Sequence, residues 1–256
     1  MTLNVGSINQ DALNTQPLNQ GKFYGVGVGP GDPELLTLKA YRLIKQAKVI
    51  SYLSGKSGSS QAKNIAKLAI QDRSDTEADI VIMMPMLEDR TMANTAYDQG
   101  ALKIRERLEQ GHDVVFLCEG DPLFFGSFSY LMSRLQEDFT CHVVPGVSSV
   151  NAAAATLSTP LTMLKESFVV VSGRHTDAQI EQALMTHDSV VIMKAGQART
   201  RILDLLKATG RSQDARYLEY IGRDNQKIIE DVKNLSHEAG PYFSLFVVLP
   251  SNRREK

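Results

Sequence analysis

GVGVGPGDPELLTLKA, residues 25–40, is the stretch that decides the fold, because it links an apolar strand-like run to an apolar helix-like run. A second stretch, VVFLCEGDPLFFGSF at residues 114–128, repeats this arrangement around Gly120, Asp121 and Pro122. Strand–loop–helix junctions of this kind hold small ligands at the carboxyl edge of a parallel sheet. The matched pair therefore predicts an α/β fold with a ligand site built from two loops.

The composition is that of an ordinary globular protein, with 256 residues, 43% of them hydrophobic and 22% charged. This length suits one large α/β domain or two of moderate size. A net charge of -1 lacks the basic field of a dedicated nucleic-acid-binding protein, so we expect no nucleic-acid partner. Cys118 and Cys141 each lie in an apolar run, which favours buried thiols in a reducing compartment over a disulfide or metal site.

Residues 1–20 are polar, rich in Asn and Gln, and lack the apolar stretch that a signal peptide needs. We interpret them as a disordered leader. No run of about 18 apolar residues suggests a membrane span. The sequence therefore predicts a soluble cytoplasmic protein without a membrane partner.

Strands and helices alternate after the leader, which predicts two α/β domains. We expect a mostly parallel N-terminal sheet over residues 21–147 and a mixed C-terminal sheet over residues 148–256, with the boundary at the small-residue stretch 145–155. The predicted strands are Phe23–Val28, Lys48–Leu53, Ile80–Met84, Val114–Cys118, His142–Val144, Phe168–Ser172, Val190–Met193, Arg216–Ile221 and Phe243–Leu249. Predicted helices begin at Pro33 and cover Ala101–Gln110, Phe125–Leu135 and Ala198–Ala208.

The first glycine loop does not match the dinucleotide-binding fingerprint. A G-x-G-x-x-G pattern starting at Gly25 requires glycine at Pro30, and one starting at Gly27 requires glycine at Asp32. Pro30 also lacks the N–H that a pyrophosphate cradle uses. This spacing excludes a nicotinamide dehydrogenase and favours a ligand with positive charge or hydroxyl groups.

Several loop residues have a structural interpretation beside a functional one. Asp32 and Asp121 each precede proline, so each either caps a helix or contacts the ligand. The hydroxyls of Ser148 and Ser149 either bind a ligand or cap the alanine-rich helix that follows. Met193 is either core or a soft wall for an adenine or a thioether. The scattered histidines, His175 among them, form no H-x-x-x-H pattern, so we expect no protein-bound metal.

The three stretches at residues 25–40, 119–128 and 143–162 together resemble the S-adenosylmethionine-dependent tetrapyrrole (precorrin) methyltransferases. The resemblance is strongest to the C20 branch, which methylates precorrin-2 or cobalt-precorrin-2 in cobalamin synthesis. It implies a two-domain homodimer that takes S-adenosylmethionine as methyl donor in the cleft between its domains. Met193 matches the methionine that begins the family's M-x-x-x-Q run, and Lys194 is the next residue of that run.

Carried over by position, the resemblance implies that these residues bind the cofactor: Pro30, Glu119, Gly120, Asp121, Phe124, Ser148, Ser149, Met193 and Lys194. The chain departs from the family where Glu119 replaces a glycine, as in the C20 branch, and where a late glycine falls near Asp231. Asp32 is our candidate for the base that removes the proton from the methylated carbon. The substrate carries several carboxylates, so we expect basic side chains around it, and the candidates are Arg90, Arg174, Lys194 and Arg223.

Other functions within the same superfamily stay open at this point. These are methylation of uroporphyrinogen III, of another precorrin carbon, of diphthine or of ribosomal RNA. The chain has no basic stripe interleaved with aromatic residues, which disfavours RNA. A metabolite-binding module without catalysis is a further alternative, and the motifs do not distinguish a cobalt-containing substrate from a metal-free one.

Overall fold

The first half of the chain forms an all-parallel sheet. The computed structural model describes residues 20–55, 58–85 and 90–251, and it places five strands here in the order β3-β2-β4-β1-β5. The strands are β1 (Phe23–Gly27), β2 (Val49–Ser54), β3 (Ile80–Met83), β4 (Val114–Cys118) and β5 (Cys141–Val144). Every pairing within this sheet is parallel, so all five carboxyl ends lie at one edge.

Helices cover both faces of this sheet. They are α1 (Leu38–Gln46), α2 (Gln61–Ile65), α3 (Lys67–Gln71), α4 (Arg90–Glu109) and α5 (Phe128–Leu135). On one face, α4 and α5 pack against Phe23 and Phe116, and on the other α1, α2 and α3 pack against Val26 and Ile50. The central strands are buried on both sides, which explains why β4 reads as an unbroken apolar run.

The second half forms a mixed sheet in the order β6-β7-β10-β8-β9. Its strands are β6 (Phe168–Ser172), β7 (Ser189–Met193), β8 (Ala215–Glu219), β9 (Lys227–Ile229) and β10 (Ser244–Val248). Only β6 and β7 pair in parallel, and the other pairings are antiparallel. The expected two α/β domains, one with a parallel and one with a mixed sheet, are confirmed.

Three helices cover the second sheet, and they are α6 (Ser149–Thr156), α7 (Asp177–Thr186) and α8 (Arg199–Ala208). On one face α7 and α8 pack against the core around Tyr217 and Phe246. On the other face α6 contributes Val150 and Ala153 to a cluster with Leu218. This packing joins α6 to the second sheet, and the boundary between residues 147 and 148 stays a prediction.

Several element boundaries differ from the sequence-based predictions for local reasons. The helix predicted from Pro33 is a single 3-10 turn, Pro33–Leu35, and α1 begins only at Leu38, after Thr37 caps it. The helix predicted from Phe125 begins at Phe128, because Phe125 has a left-handed backbone with φ 54°. The edge strand β9 was not predicted. The disordered leader was predicted for residues 1–20, and of these residues 1–19 lie outside the described part of the chain.

Within the described ranges, every helix falls short of the combination of length and apolar character that a bilayer crossing requires. Cys118 lies in the core and Cys141 is half-buried, and both are free thiols. Burial raises the pKa of the Cys118 thiol, and burial also raises the pKa of Cys141 to about 11. Both thiols are therefore protonated at neutral pH.

Glu77 ties the first sheet to α4 by electrostatic contacts. Its carboxylate lies 2.7 Å from Arg107, 3.2 Å from Lys48 and 3.4 Å from His112. Burial raises the pKa of Glu77, but the neighbouring positive charges outweigh this and hold the pKa below its usual range. The carboxylate form therefore contributes stability at neutral pH, and that contribution is lost as pH falls through the depressed pKa.

We expect Glu77→Gln to lower the urea midpoint at pH 7, because the amide cannot form ion pairs with Arg107 and Lys48. Below a pH of about 4.5 the wild type loses this contribution, so the two midpoints should converge. Urea unfolding between pH 3 and 8, followed by circular dichroism, measures both. Glu137→Gln is the control, since Glu137 is exposed and has no ion pair with a described residue. A constant difference between wild type and Glu77→Gln at all pH values would contradict the assignment.

Candidate functional site

The two Gly-Asp-Pro loops meet at the carboxyl edge of the first sheet. The Gly120 N–H donates to the Gly29 carbonyl at 2.8 Å, and the Gly29 N–H donates to the Gly120 carbonyl at 3.4 Å. Both glycines have left-handed backbones, with φ of 85° at Gly29 and 63° at Gly120. The loops are neighbours because β1 and β4 pair directly. The spatial pairing expected from the repeated motif is therefore present.

The loop after β5 packs into the same place, and glycine is sterically required there. A Cβ on Gly27 would lie 2.6 Å from the Gly120 carbonyl oxygen and 2.6 Å from the Gly146 nitrogen. These neighbours are backbone atoms, which cannot rotate away as a side chain can. We call the assembly of residues 27–32, 119–125, 145–148 and 220–223 the loop junction.

Side-chain oxygens within the loop junction are used mainly to fix the loops. Asp32 Oδ1 accepts from the Glu34 N–H at 2.8 Å and so caps the 3-10 turn. Asp121 Oδ1 accepts from the Leu123 N–H at 2.9 Å, and its Oδ2 accepts from the Gly146 N–H at 3.1 Å. Asp121 therefore holds its own turn and also ties it to the loop after β5.

The serine pair follows the same pattern. Ser148 Oγ accepts from the Asn151 N–H at 3.3 Å and caps α6, and Ser149 is the first residue of that helix. The capping interpretation thus applies to Asp32, Asp121 and Ser148. It leaves the backbone of each loop available for ligand contact, since a cap uses the side chain.

The second domain reaches the loop junction through the turn between β8 and β9. A Cβ on Gly31 would lie 2.8 Å from the carbonyl carbon of Gly222, and one on Gly222 would lie 2.9 Å from the Asp32 nitrogen. Gly222 has φ 73°, in the left-handed region. Two glycine backbones therefore allow the domains to touch at this point.

Arg223 follows directly and inserts its guanidinium between the domains. The guanidinium carbon lies 3.9 Å from the centre of the Phe243 ring, a cation–π geometry, and the side chain is 13% exposed. Its Nη2 lies 3.8 Å from Glu119 Oε2, too far for a hydrogen bond. Its Nε is buried and has no partner among the described residues. Arg223 thus retains unused donors at the loop junction.

Glu119 has the most strongly perturbed carboxylate in this part of the molecule. The Glu119 side chain is 36% exposed, but the surrounding loops desolvate its carboxyl group and raise its pKa to about 7, and the positive charge of Arg223 opposes that rise. Burial also lowers the pKa of Arg223, and Glu119 opposes that shift. Each group therefore partly stabilises the charge of the other.

A second basic pair lies at the end of β7. Lys194, with φ 54°, donates from Nζ to the Phe125 carbonyl at 3.3 Å and so joins the two domains. Burial, and then the charge of Arg174, lower the pKa of Lys194. The Arg174 guanidinium is exposed and forms no ion pair with a described residue. The preceding residue, Met193, packs partly buried against the face that carries α6.

The remaining predicted residues differ in exposure and in role. Pro30 is buried, whereas Phe124 and Phe125 are 36% and 41% exposed and pack edge to face at 5.2 Å. The Arg90 side chain lies outside the described side chains. Asp231, where the late glycine falls, caps the 3-10 turn Val232–Asn234 instead.

Tyr242 and Phe243 were not predicted as site residues. They lie next to Arg223, at the part of the loop junction that the second domain forms. Phe243 stacks on Arg223, and Tyr242 packs edge to face on Phe243 at 5.0 Å. Burial and the charge of Glu119 raise the pKa of Tyr242, while Arg174 opposes this. The available signal was the pair of aromatic residues just after Gly240 and Pro241, before an apolar strand. No group of three or more potential metal ligands occurs among residues that the structure describes.

These features define a two-domain α/β protein with a candidate ligand site of glycine loops at a sheet edge. The family model of tetrapyrrole (corrin/porphyrin) methylases matches residues 22–235. The chain therefore belongs to the tetrapyrrole methylase family.

Two of the curated relatives carry names from cobalamin biosynthesis. The chain is 34% identical over 244 residues to the cobalamin biosynthesis protein CobIJ of Mycobacterium tuberculosis, covering 92% of this chain but 47% of that protein. It thus spans about half the length of that relative. It is 32% identical over 240 residues to a precorrin-2 C(20)-methyltransferase of a Sinorhizobium species, covering 89% of this chain and 95% of that enzyme.

Solved structures share the fold at lower identity. A uroporphyrin-III C-methyl transferase of Thermus thermophilus, complexed with S-adenosyl homocysteine, superposes with a TM-score of 0.62 at 24% identity, covering 90% of this chain and 97% of that one. The cobalt precorrin-4 methyltransferase CbiF superposes with a TM-score of 0.67 at 23% identity, covering 89% and 94%. At these identities the likeness concerns the fold alone.

We expect Gly27→Ala to lower the free energy of unfolding by about 1–3 kcal/mol, because the added methyl group overlaps fixed backbone atoms. Gly55→Ala is the matched control. A Cβ there meets no atom within 4 Å, so its effect should stay within about 0.5 kcal/mol. Urea unfolding measured by fluorescence or circular dichroism compares the two. Equal effects would show that the close approach of the loops does not constrain the fold.

Proposed function

We propose that this protein transfers a methyl group from S-adenosylmethionine to carbon 20 of precorrin-2 or cobalt-precorrin-2 in cobalamin synthesis. Family membership and similarity to nearly the whole Sinorhizobium enzyme support this reaction. The observation that carries the proposal is the loop junction, where both Gly-Asp-Pro loops meet an arginine of the second domain that has unused donors.

The groups at the loop junction suit S-adenosylmethionine, which supplies an electrophilic methyl group on a positively charged sulfur. The glycine backbones permit close approach, and the exposed rings of Phe124 and Phe125 offer an apolar surface to an adenine. The Glu119 carboxylate suits ammonium and hydroxyl groups, while the unpartnered Arg223 Nε suits a carboxylate. Charge and shape therefore both favour this ligand over a phosphate.

We propose that the predicted cofactor residues act in two ways. Asp121 and Ser148 fix the loops through their side chains, so that the backbone of the loop junction faces the ligand. Pro30, Gly120, Ser149 and Met193 then contribute surface next to it. Lys194 contributes by joining the end of β7 to the Phe125 carbonyl.

Methyl transfer needs position more than acid–base assistance. The accepting carbon must lie about 3–3.5 Å from the methyl carbon and in line with the departing sulfur. Two domains held together at Gly31, Gly222 and Arg223 provide a rigid frame for this alignment. Excluding water from this frame also protects an easily oxidised tetrapyrrole from side reactions.

We propose that basic residues beside the loop junction bind the carboxylates of the tetrapyrrole. Arg174 has no ion-pair partner among described residues, and, after burial, its charge is the second cause that lowers the pKa of Lys194. Such a concentration of positive charge is relieved when an anion binds. Arg223 is the third candidate of this group.

The decisive experiment is an assay with purified protein, S-adenosylmethionine and precorrin-2, with and without cobalt. Nuclear magnetic resonance with a ¹³C-methyl donor identifies the methylated carbon. Methylation of carbon 20 supports the proposal, and the two substrates decide the question of cobalt. Methylation of another carbon, or of uroporphyrinogen III, would contradict the proposed reaction and indicate another methyltransferase activity. Binding of S-adenosylmethionine without turnover would indicate a metabolite-binding module.

The proposed quaternary structure is a homodimer, as the family resemblance implies. Sedimentation equilibrium at micromolar concentration tests it. A mass near that of one 28.2 kDa chain would contradict the dimer.

We expect Arg174→Ala to raise the KM for the tetrapyrrole about tenfold or more, because a charge-assisted hydrogen bond contributes roughly 1.5–3 kcal/mol. Affinity for S-adenosylhomocysteine, measured by calorimetry, should change little. Arg42→Ala is the control, since Arg42 is exposed on α1 and has no ion pair among described residues. An unchanged KM in Arg174→Ala would remove this residue from the substrate site.

A further inference from the structure

Glu119 differs from the other acidic residues of the two loops in its hydrogen bonding. Asp32 and Asp121 each accept hydrogen bonds from backbone N–H groups of their turns. The Glu119 carboxylate accepts none from any described residue, and its nearest charged partner is Arg223 at 3.8 Å. A carboxylate with both oxygens free is available to act on a ligand, whereas a capping carboxylate is occupied.

Arg223 is placed to stabilise the charge of Glu119 without occupying it. Its guanidinium is clamped against the Phe243 ring, and its flank packs on Gly31. The resulting separation allows electrostatic attraction but leaves the carboxylate free of hydrogen bonds. The pair therefore places a carboxylate without hydrogen bonds beside a fixed positive charge at the boundary of the two domains.

Among the described residues, one positive group acts on the pKa of Glu119. On its own segment lie Cys118 and Asp121, and the loop before β10 contributes Tyr242. From the turn between β8 and β9 comes Arg223, which is the source of the downward pull on the pKa of Glu119. Burial outweighs that pull, and the pKa near 7 suits proton transfer at neutral pH.

Methylating a ring carbon that already carries hydrogen requires an acceptor for one proton. As the new carbon–carbon bond forms, the sulfur–carbon bond breaks and its electron pair stays on sulfur. The carbon–hydrogen bond then breaks, its electron pair returns to the conjugated ring, and the proton passes to a base. This balance needs no further oxidant or reductant.

We propose, on the basis of the proposed function, that Glu119 accepts this proton and that Arg223 is the positioning residue whose charge favours the ionised form of Glu119. The role is then distinct from that of Asp32, the candidate from sequence, whose Oδ1 caps the turn that follows. It is also distinct from cofactor holding, which the family resemblance implies for Glu119.

The test is the pH dependence of kcat/KM for the tetrapyrrole between pH 5.5 and 9. The kcat/KM of the wild-type protein should rise with pH along a limb with an apparent pKa near 7. Glu119→Gln should lose that limb and slow turnover by about 10²–10⁴-fold. Calorimetry with S-adenosylhomocysteine measures the part of the loss that comes from cofactor contacts, and this change in affinity should be much smaller than the loss of turnover. Asp32→Asn should keep the limb.

Arg223 variants test the positioning role separately. Arg223→Met removes the charge that lowers the pKa of Glu119, so the limb should move to higher pH. Arg223→Lys should keep the limb near its wild-type position. Urea midpoints identify any variant that fails to fold, and Arg223→Lys keeps the test open if Arg223→Met does not fold.

A titration of the resting protein separates this inference from the proposed function. Glutamate labelled with ¹³C at the carboxyl carbon, assigned with Glu119→Gln, reports the ionisation of Glu119 without substrate. If the wild-type protein methylates the tetrapyrrole, and Glu119→Gln keeps both the full rate and the pH-dependent limb, only the role of Glu119 is overturned. A different result is that the wild-type protein methylates no tetrapyrrole, while Glu119 still titrates near pH 7 and its pKa shifts in Arg223→Met. That result would overturn the proposed function, and the catalytic role of Glu119 with it.

Discussion

The structure depends on one steric constraint, the contact of three backbones at the carboxyl edge of the first sheet. A Cβ on Gly27 would lie 2.6 Å, and one on Gly146 2.2 Å, from the Gly120 carbonyl oxygen, and Gly120 itself has a left-handed backbone with φ 63°. That contact draws the loops after β1, β4 and β5 into one place, and the Gly29–Gly120 hydrogen bonds hold them there. The charged and aromatic side chains of the site take their positions from this arrangement.

Much of the fold was accessible from sequence because its strongest elements are locally encoded. The strands Val114–Cys118 and Phe168–Ser172 were predicted to the residue, since each is an apolar run bounded by turn-forming residues. The start of α1 was wrong, because Thr37 offers a better cap than Asp32 does for a long helix. The exposed strand β9 depends on pairing with β8, which no local pattern reveals.

The site was predictable only where sequence motifs are contiguous. Gly-Asp-Pro repeats pointed to the loops, and Arg223 was proposed only from its loop position. Its relation to Glu119 joins residues about a hundred positions apart, and the bond from Lys194 to Phe125 spans 69 positions. Such pairings follow from how two domains pack. Tyr242 and Phe243 escaped notice for the same reason, since alone they resemble the start of a core strand.

The strand order of the first sheet has a consequence for biosynthesis of the chain. β1 lies between β4 and β5, so both of its hydrogen-bonding edges wait for strands made about 90 and about 115 residues later. At ribosomal speeds of about 5–20 residues per second, β1 spends roughly 5–20 s without a partner. Its exposed edges are then open to association with other nascent chains, a hazard that chaperones covering the emerging polypeptide would relieve.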